Sequence, residues 1–314
     1  MTDATWATPA PVAQGEGVAP SPRSPRPRHR QAATHHLLPY LLMAPAILAV
    51  TALVIYPIGQ VFVQSFFDIR PTRHQGWIFT GLDNYVRAFA DAEVRGTIVR
   101  TLVWTLSGVG LQFVVGLASA LILKQFVHAK FLRAVFILPW ATPMVVGALA
   151  WRFVYQNQGL VNSLLGAIGL GSLQEAWLSN PNTALGAVIV ANVWRGFPFI
   201  MVMLIAGMAS IPDEVYEASA VDGAGYWRQL RSITLPMLRP SIMASTLMGL
   251  IWTFNSFANI WVMTNGGPAG RTEILTTFVY RAGFARFDFG HASALSILLF
   301  CFVAVGSSIY LRAF

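Results

Sequence analysis

The chain has 314 residues, 55% of them hydrophobic and 11% charged, with a mean hydropathy of +0.57. A soluble domain carries roughly 25% charged residues, so this composition excludes an ordinary soluble protein and describes a polytopic membrane protein. The net charge of +8 sits largely in the N-terminal tail and in short loops, where cationic bias orients membrane proteins, and it does not point to nucleic acid.

Residues 1–34 are rich in Pro, Ala, Ser and Arg. The run from Ser21 to Arg30 holds four Arg and cannot bury surface. The reading is a disordered, basic, Pro-rich cytoplasmic tail over 1–36, preceding a six-span membrane domain over 37–314. No cleavable signal peptide is evident, because the first apolar run starts late and is too long for an h-region.

A membrane span needs about 20 apolar residues. Six segments qualify: about 38–67, 97–123, 132–154, 184–207, 240–263 and 291–312. Pro45, Pro57, Pro139, Pro143 and Pro198 interrupt them, as expected of cavity-lining helices or of packing kinks. Six spans place both termini on one side. Lys and Arg outside the spans number eleven on the proposed cytoplasmic side against eight on the other. The tail and the acid-free loop 124–133 decide the orientation, with both termini cytoplasmic. The single Cys301 lies in the last apolar segment, which excludes an intramolecular disulfide.

The loop 208–239 is polar and helix-forming. Ser210 is a candidate cap, Pro212 suits a first turn, and Asp213 with Glu214 favours the positive end of a helix. That helix runs through Glu217, Ala218 and Val221, and Gly223 or Gly225 ends it in a left-handed conformation. Tyr226, Trp227, Leu230 and Ile233 form an apolar stripe on a second short helix. Periodicity leaves open a helix lying on the bilayer or one docking a protein. The acidic face favours the protein, because anionic headgroups would repel it.

The fourth span contains Asn192, Arg195, Gly196 and Phe199. A cation inside a span marks function by default; the alternatives are a structural ion pair or snorkelling. Pro198 is expected to loosen the backbone and expose carbonyls near Gly196. The fifth span contains Trp252, Thr253, Asn255 and Ser256. Asn255 and Asn259 share one helical face, and Trp252 and Ser256 a neighbouring one. Amides, a guanidinium and aromatic rings suit a sugar, whose hydroxyls take hydrogen bonds and whose apolar face takes a ring. Helix–helix hydrogen bonding remains the other reading for the fifth span.

The segment Glu217-Ala218-Ser219-Ala220-Val221-Asp222-Gly223, followed by Ile233-Thr234-Leu235-Pro236, resembles the cytoplasmic EAA loop of ABC importer permeases. Ser219 is its one departure, small for small. Met263-Thr264-Asn265-Gly266-Gly267-Pro268, Phe278 to Phe284 and Phe289 to Ala294 resemble the carbohydrate branch of that family, which is MalF-like and includes trehalose permeases. The likeness is most specific over about 190–300.

The resemblance implies an all-α integral membrane protein of six transmembrane helices with the type I importer (MetI-like) fold. It implies a heterodimer with a second homologous permease, a dimeric cytoplasmic ATPase and an extracytoplasmic substrate-binding protein. The docking helix would sit in a cleft of the ATPase within the segment that includes Asp222. Glu217 would anchor it by charge pairing, Ala218 and Ser219 would permit close packing, and Gly223 would make the turn. The fourth and fifth spans would form the cavity for a sugar, a disaccharide such as trehalose first.

The chain has no P-loop, His-Glu-x-x-His or Gly-x-Ser-x-Gly pattern. It is expected to be no enzyme and to carry no cofactor, with ATP and magnesium in the partner ATPase. A secondary transporter would need buried acids for ion coupling, and the spans hold only Asp68 at an edge. Importers of amino acids, phosphate or glycerol phosphate remain the nearer alternatives.

Overall fold

The computed structural model describes residues 32–73, 76–125 and 130–313, so positions 1–31 of the expected tail lie outside it. The chain divides into two compact units, Met1–Ile55 and Tyr56–Phe314. In the first, α1 (Ala32–Val50) begins within the stretch expected to be tail and continues into a π-helical turn, Thr51–Ile55. That turn contains Leu53, whose carbonyl the ring of Pro57 would meet in a regular helix; widening the turn relieves the clash.

The second unit opens with α2 (Tyr56–Gln64), followed by a two-residue ribbon in which β1 (Phe67–Asp68) pairs antiparallel with β2 (Ile78–Phe79). Then come α3 (Asp83–Ala90), α4 (Ala92–Gln125), α5 (Lys130–Ala141), α6 (Met144–Val154), α7 (Leu160–Ala167) and α8 (Ala184–Ala209). The loop after α8 holds α9 (Asp213–Val221), α10 (Tyr226–Gln229), a π turn and α11 (Leu235–Met237). The chain ends with α12 (Arg239–Phe254), α13 (Ala258–Thr264), α14 (Leu275–Tyr280) and α15 (Phe289–Ala313).

Among the described residues, four helical runs are long and apolar enough to cross a membrane: Pro39–Gln64, Ala92–Lys124, Ala184–Ala209 and Phe289–Ala313. A fifth follows if Phe131–Ala141 and Met144–Val154 count as one span. That pair is the expected segment 132–154, and the proline interruption expected there is a bend of 98°. Pro143 explains the bend: it has no N–H to donate and biases Thr142 away from helical torsions.

The expected segment 240–263 is likewise two helices, α12 and α13, broken at Asn255-Ser256-Phe257. The Thr253 carbonyl accepts the Trp104 indole N–H at 2.9 Å and the Ser256 N–H at 3.1 Å, while Asn255 Nδ2 donates to the Ile251 carbonyl at 2.8 Å. The Thr253 carbonyl would accept from Phe257 in a continued helix; here Trp104 and Ser256 take that place. Asn255 and Asn259 therefore sit on different elements, not on one helical face. Conversely, α8 stays helical through Pro198, whose missing N–H leaves the Trp194 carbonyl without its helical donor but does not break the helix.

Packing centres on α4 against α8. One buried cluster gathers Trp104, Val188, Ile260 and Ile274; a second gathers Ala120, Ile200, Leu204 and Leu238; a third holds Val94, Phe278 and Leu295. Half of the most apolar window of α8 is buried, but only 11% of that of α15. Leu106, Val114, Phe300 and Ile309 are exposed on α4 and α15. Such an apolar exterior suits lipid, where helices bury small and polar groups inward.

Candidate functional site

A cavity of about 600 Å³ opens against the middle of α8. All eight residues singled out in the fourth and fifth spans line it: Asn192, Arg195, Gly196, Phe199, Trp252, Thr253, Asn255 and Ser256. The helical repeat of α8 puts Asn192, Arg195, Gly196 and Phe199 on one face. The break after α12 turns Asn255 and Ser256 toward the same space. Phe199 and Trp252 pair with ring centroids 4.7 Å apart, and Trp140 lies 6.1 Å from Phe199.

Three buried polar atoms on this lining have no hydrogen-bond partner: Asn192 Nδ2, Arg195 Nε and Ser256 Oγ. Leaving a buried donor unsatisfied typically costs about 1–3 kcal/mol, more when it is charged.

Sequence reasoning missed Gln112, which is buried on α4, lines the cavity and donates from Nε2 to the Asn192 carbonyl at 3.2 Å. A lone carboxamide inside the apolar run 97–123 was the available signal. Trp140 and Met144, beside the α5–α6 bend, were missed because the prolines signalled a kink without its size or direction.

At the far end of α8, the acidic loop forms as a helical hairpin. Pro212, not Ser210, takes the N-cap position of α9; the Ser210 hydroxyl turns back to the Gly207 carbonyl at 2.7 Å. Gly223, at φ 75°, makes the left-handed turn after α9, whereas Gly225 is extended and starts α10. Glu217, Ala218, Asp222 and Gly223 are exposed, and Val221 is 89% exposed. Tyr226 and Trp227 are exposed too, so only Leu230 of the expected apolar stripe is fully buried.

Ser219 is half-buried. Its hydroxyl donates to the Tyr216 carbonyl at 2.8 Å and accepts from Gln229 Nε2 at 2.9 Å. Tyr216 in turn shares a hydrogen bond with Thr234 at 3.1 Å and lies beneath the Lys124 ammonium, 3.9 Å from its ring centroid. The exposed acidic helix is thereby fastened to the end of α4 and to the turn before α12.

Residues 112–313 match the family model for the binding-protein-dependent transport system inner membrane component. The chain belongs to this family. A probable ABC transporter permease protein of Brucella suis biovar 1 (strain 1330) is 35% identical over 277 residues, spanning 88% of this chain and 96% of the relative. The trehalose/maltose transport system permease protein MalF of Thermococcus litoralis is 33% identical over 281 residues, spanning 88% of this chain and 92% of the relative. A crystal structure of a bacterial ABC transporter involved in the import of the acidic polysaccharide alginate superposes with a TM-score of 0.71 at 24% identity, covering 89% of this chain and 96% of that one. The permease is thus a multi-pass inner-membrane component with the MetI-like helical fold. Its cavity and its acidic hairpin lie on the middle and on one end of the same helix, α8.

Proposed function

We propose that this permease forms half of the translocation pathway of an ATP-driven sugar importer. The observation that carries the reading is the cavity at α8, where the polar residues Asn192, Arg195, Asn255 and Ser256 line a space walled by the Phe199–Trp252 ring pair. Donors hold hydroxyls, and a ring face takes the apolar side of a pyranose. The relative named for trehalose and maltose transport favours a disaccharide, trehalose first.

In this reading the chain crosses the membrane six times, the bent pair α5–α6 and the broken pair α12–α13 each accounting for one crossing, with both termini cytoplasmic. It works as a heterodimer with a homologous permease. A dimeric ATPase supplies ATP and magnesium, and an extracytoplasmic binding protein delivers the sugar. Glu217, Ala218, Ser219, Asp222 and Gly223 form the coupling surface. Closure of the ATPases moves α9; its ties to Lys124 and Thr234 carry that motion to α4 and α12, which flank the cavity. The cavity then alternates between outward and inward access.

The test is affinity purification of the C-terminally tagged chain in mild detergent, then reconstitution with what co-purifies. A P-loop ATPase, a second permease and ATP-dependent uptake of labelled trehalose or maltose are expected. A chain that purifies without an ATPase overturns the importer reading; ATP-dependent uptake of amino acids or phosphate in place of sugar overturns the substrate class.

A further inference from the structure

A second and larger cavity, about 760 Å³, lies at the N-terminal end of α8, opposite the acidic hairpin. Arg152, Tyr155 and Asn157, at and beyond the end of α6, line one side; Trp261, Thr264 and Asn265, at the end of α13, line the other. The central cavity uses the opposite ends of the same two helices, Met144 at the start of α6 and Ala258 at the start of α13. Helices α6 and α13 pack on each other, so the pair runs from one cavity to the next.

An aromatic step joins the two spaces. Phe257 lines the central cavity and Trp261 the larger one. One helical turn apart, their rings stack at 5.2 Å and 21°, and the Tyr280 ring braces Trp261 edge-on at 4.8 Å. The wall beyond Trp261 is held in shape. Asn265 is left-handed at φ 51°, and its carbonyl accepts from Arg281 at 2.9 Å. Thr264 and Thr272 share a hydrogen bond at 2.7 Å, and Thr272 also donates to the Gly267 carbonyl at 2.6 Å. A surface already ordered loses less entropy when it binds. Burial pushes the Tyr155 hydroxyl up to about 12, so it stays neutral at physiological pH.

We propose that this cavity is a second, outer subsite for a neutral pyranose. A guanidinium, carboxamides and hydroxyls surround an indole there, the donor-and-ring chemistry that fits a sugar's hydroxyls and its apolar face. A sugar arriving from the binding protein rests on Trp261 and passes along Phe257 to Phe199 and Trp252. Trp261 is then a specificity-determining binding residue, and α13 is the rail between the two sites. The inference rests on the sugar reading given above.

The experiment is photocrosslinking of diazirine-tagged trehalose and diazirine-tagged maltose to the assembled wild-type complex, with the labelled peptides mapped by mass spectrometry. Adducts at 152–157 or 261–265, in addition to the central cavity, are expected. Adducts confined to 192–199 and 252–256 overturn the outer subsite and leave the sugar reading standing. Specific adducts at neither place, with no sugar uptake, overturn the sugar reading and the subsite with it. Trp261→Ala is expected to erase the outer adduct and lower uptake about tenfold, the scale of one lost ring contact. Trp261→Phe, which keeps a ring, is expected to retain the adduct. An unchanged outer adduct in Trp261→Ala overturns the role of the indole. Because the wild-type map needs no variant, an unstable substitution does not decide the outcome.

Discussion

Gly196 of α8 leaves no room for a side chain beside Gln112 of α4. A Cβ added at Gly196 would overlap the carboxamide of Gln112, whose Nε2 donates to the Asn192 carbonyl at 3.2 Å. Gly108 of α4 plays the reciprocal part: a Cβ there would stand 3.2 Å from Asn192 Nδ2 and 3.4 Å from Thr253 Cγ2. Two glycines thus let the α4 and α8 backbones approach closely enough for polar side chains to reach the cavity between them.

Gly196→Ala is expected to push the Gln112 carboxamide into the cavity and cost about 1–3 kcal/mol of packing strain. Uptake should fall while the chain still inserts. The check is to compare uptake with the amount of complex recovered from membranes; unchanged uptake would show that the Gln112–Asn192 contact is dispensable.

Arg195→Ala removes the one guanidinium facing the central cavity among the described residues. Uptake is expected to drop tenfold or more, since a hydrogen bond to a charged group contributes about 1.5–3 kcal/mol. Co-purification of the ATPase should persist. Loss of assembly instead would make Arg195 a structural residue.

Gly223→Asp places a charged side chain at φ 75°, a left-handed conformation that glycine adopts without strain. No described residue lies within 4 Å of the new Cβ, so the substitution acts on the turn and on whatever docks there. Transport should uncouple from ATP hydrolysis while membrane insertion is retained. Normal sugar uptake by this variant would remove Gly223 from the coupling surface.

Ser219→Ala deletes the hydroxyl between the Tyr216 carbonyl and Gln229, a loss of about 0.5–1.5 kcal/mol per bond. Amides of α9 and α10 should exchange faster with deuterium, with those of α8 unaffected. Equal exchange in both forms would mean that Lys124 and Thr234 hold the hairpin without Ser219.

Glu273 is fully buried, its Oε1 facing Arg281 Nε at 3.3 Å, and burial raises its pKa despite that cation. A carboxyl whose native pKa exceeds its unfolded value stabilises the fold most below the ordinary carboxylate range. That stability is lost as pH rises through the native value. Thermal unfolding in detergent should show wild type weakening from acid toward neutral pH. Glu273→Gln should lack that part of the slope; an identical pH profile would mean that the carboxylate titrates normally.

How much was legible in the sequence differs from residue to residue. The left-handed turn at Gly223 and the helix through Glu217 were readable because caps and turns follow from a few neighbouring residues. The grouping of Asn192, Arg195 and Phe199 was readable because a regular helix repeats its faces. Ser219 looked like a neutral replacement for Ala, since its partner Gln229 lies across a turn that sequence spacing does not place.

The sequence by itself determined that this is a helical membrane protein with an acidic helical hairpin, because hydropathy, capping and turn chemistry act within single segments. Only the tertiary structure decided where the spans bend and break, and so where the cavities lie. Pro143 could have kinked a helix mildly or turned it by 98°; its neighbours set the angle. The α12 helix ends where Trp104, 149 positions away, donates to the Thr253 carbonyl. Pro198, equally able to break a helix, leaves α8 intact within its packing against α4. Hydrogen bonds and contacts between distant segments choose among backbone paths that each local sequence permits.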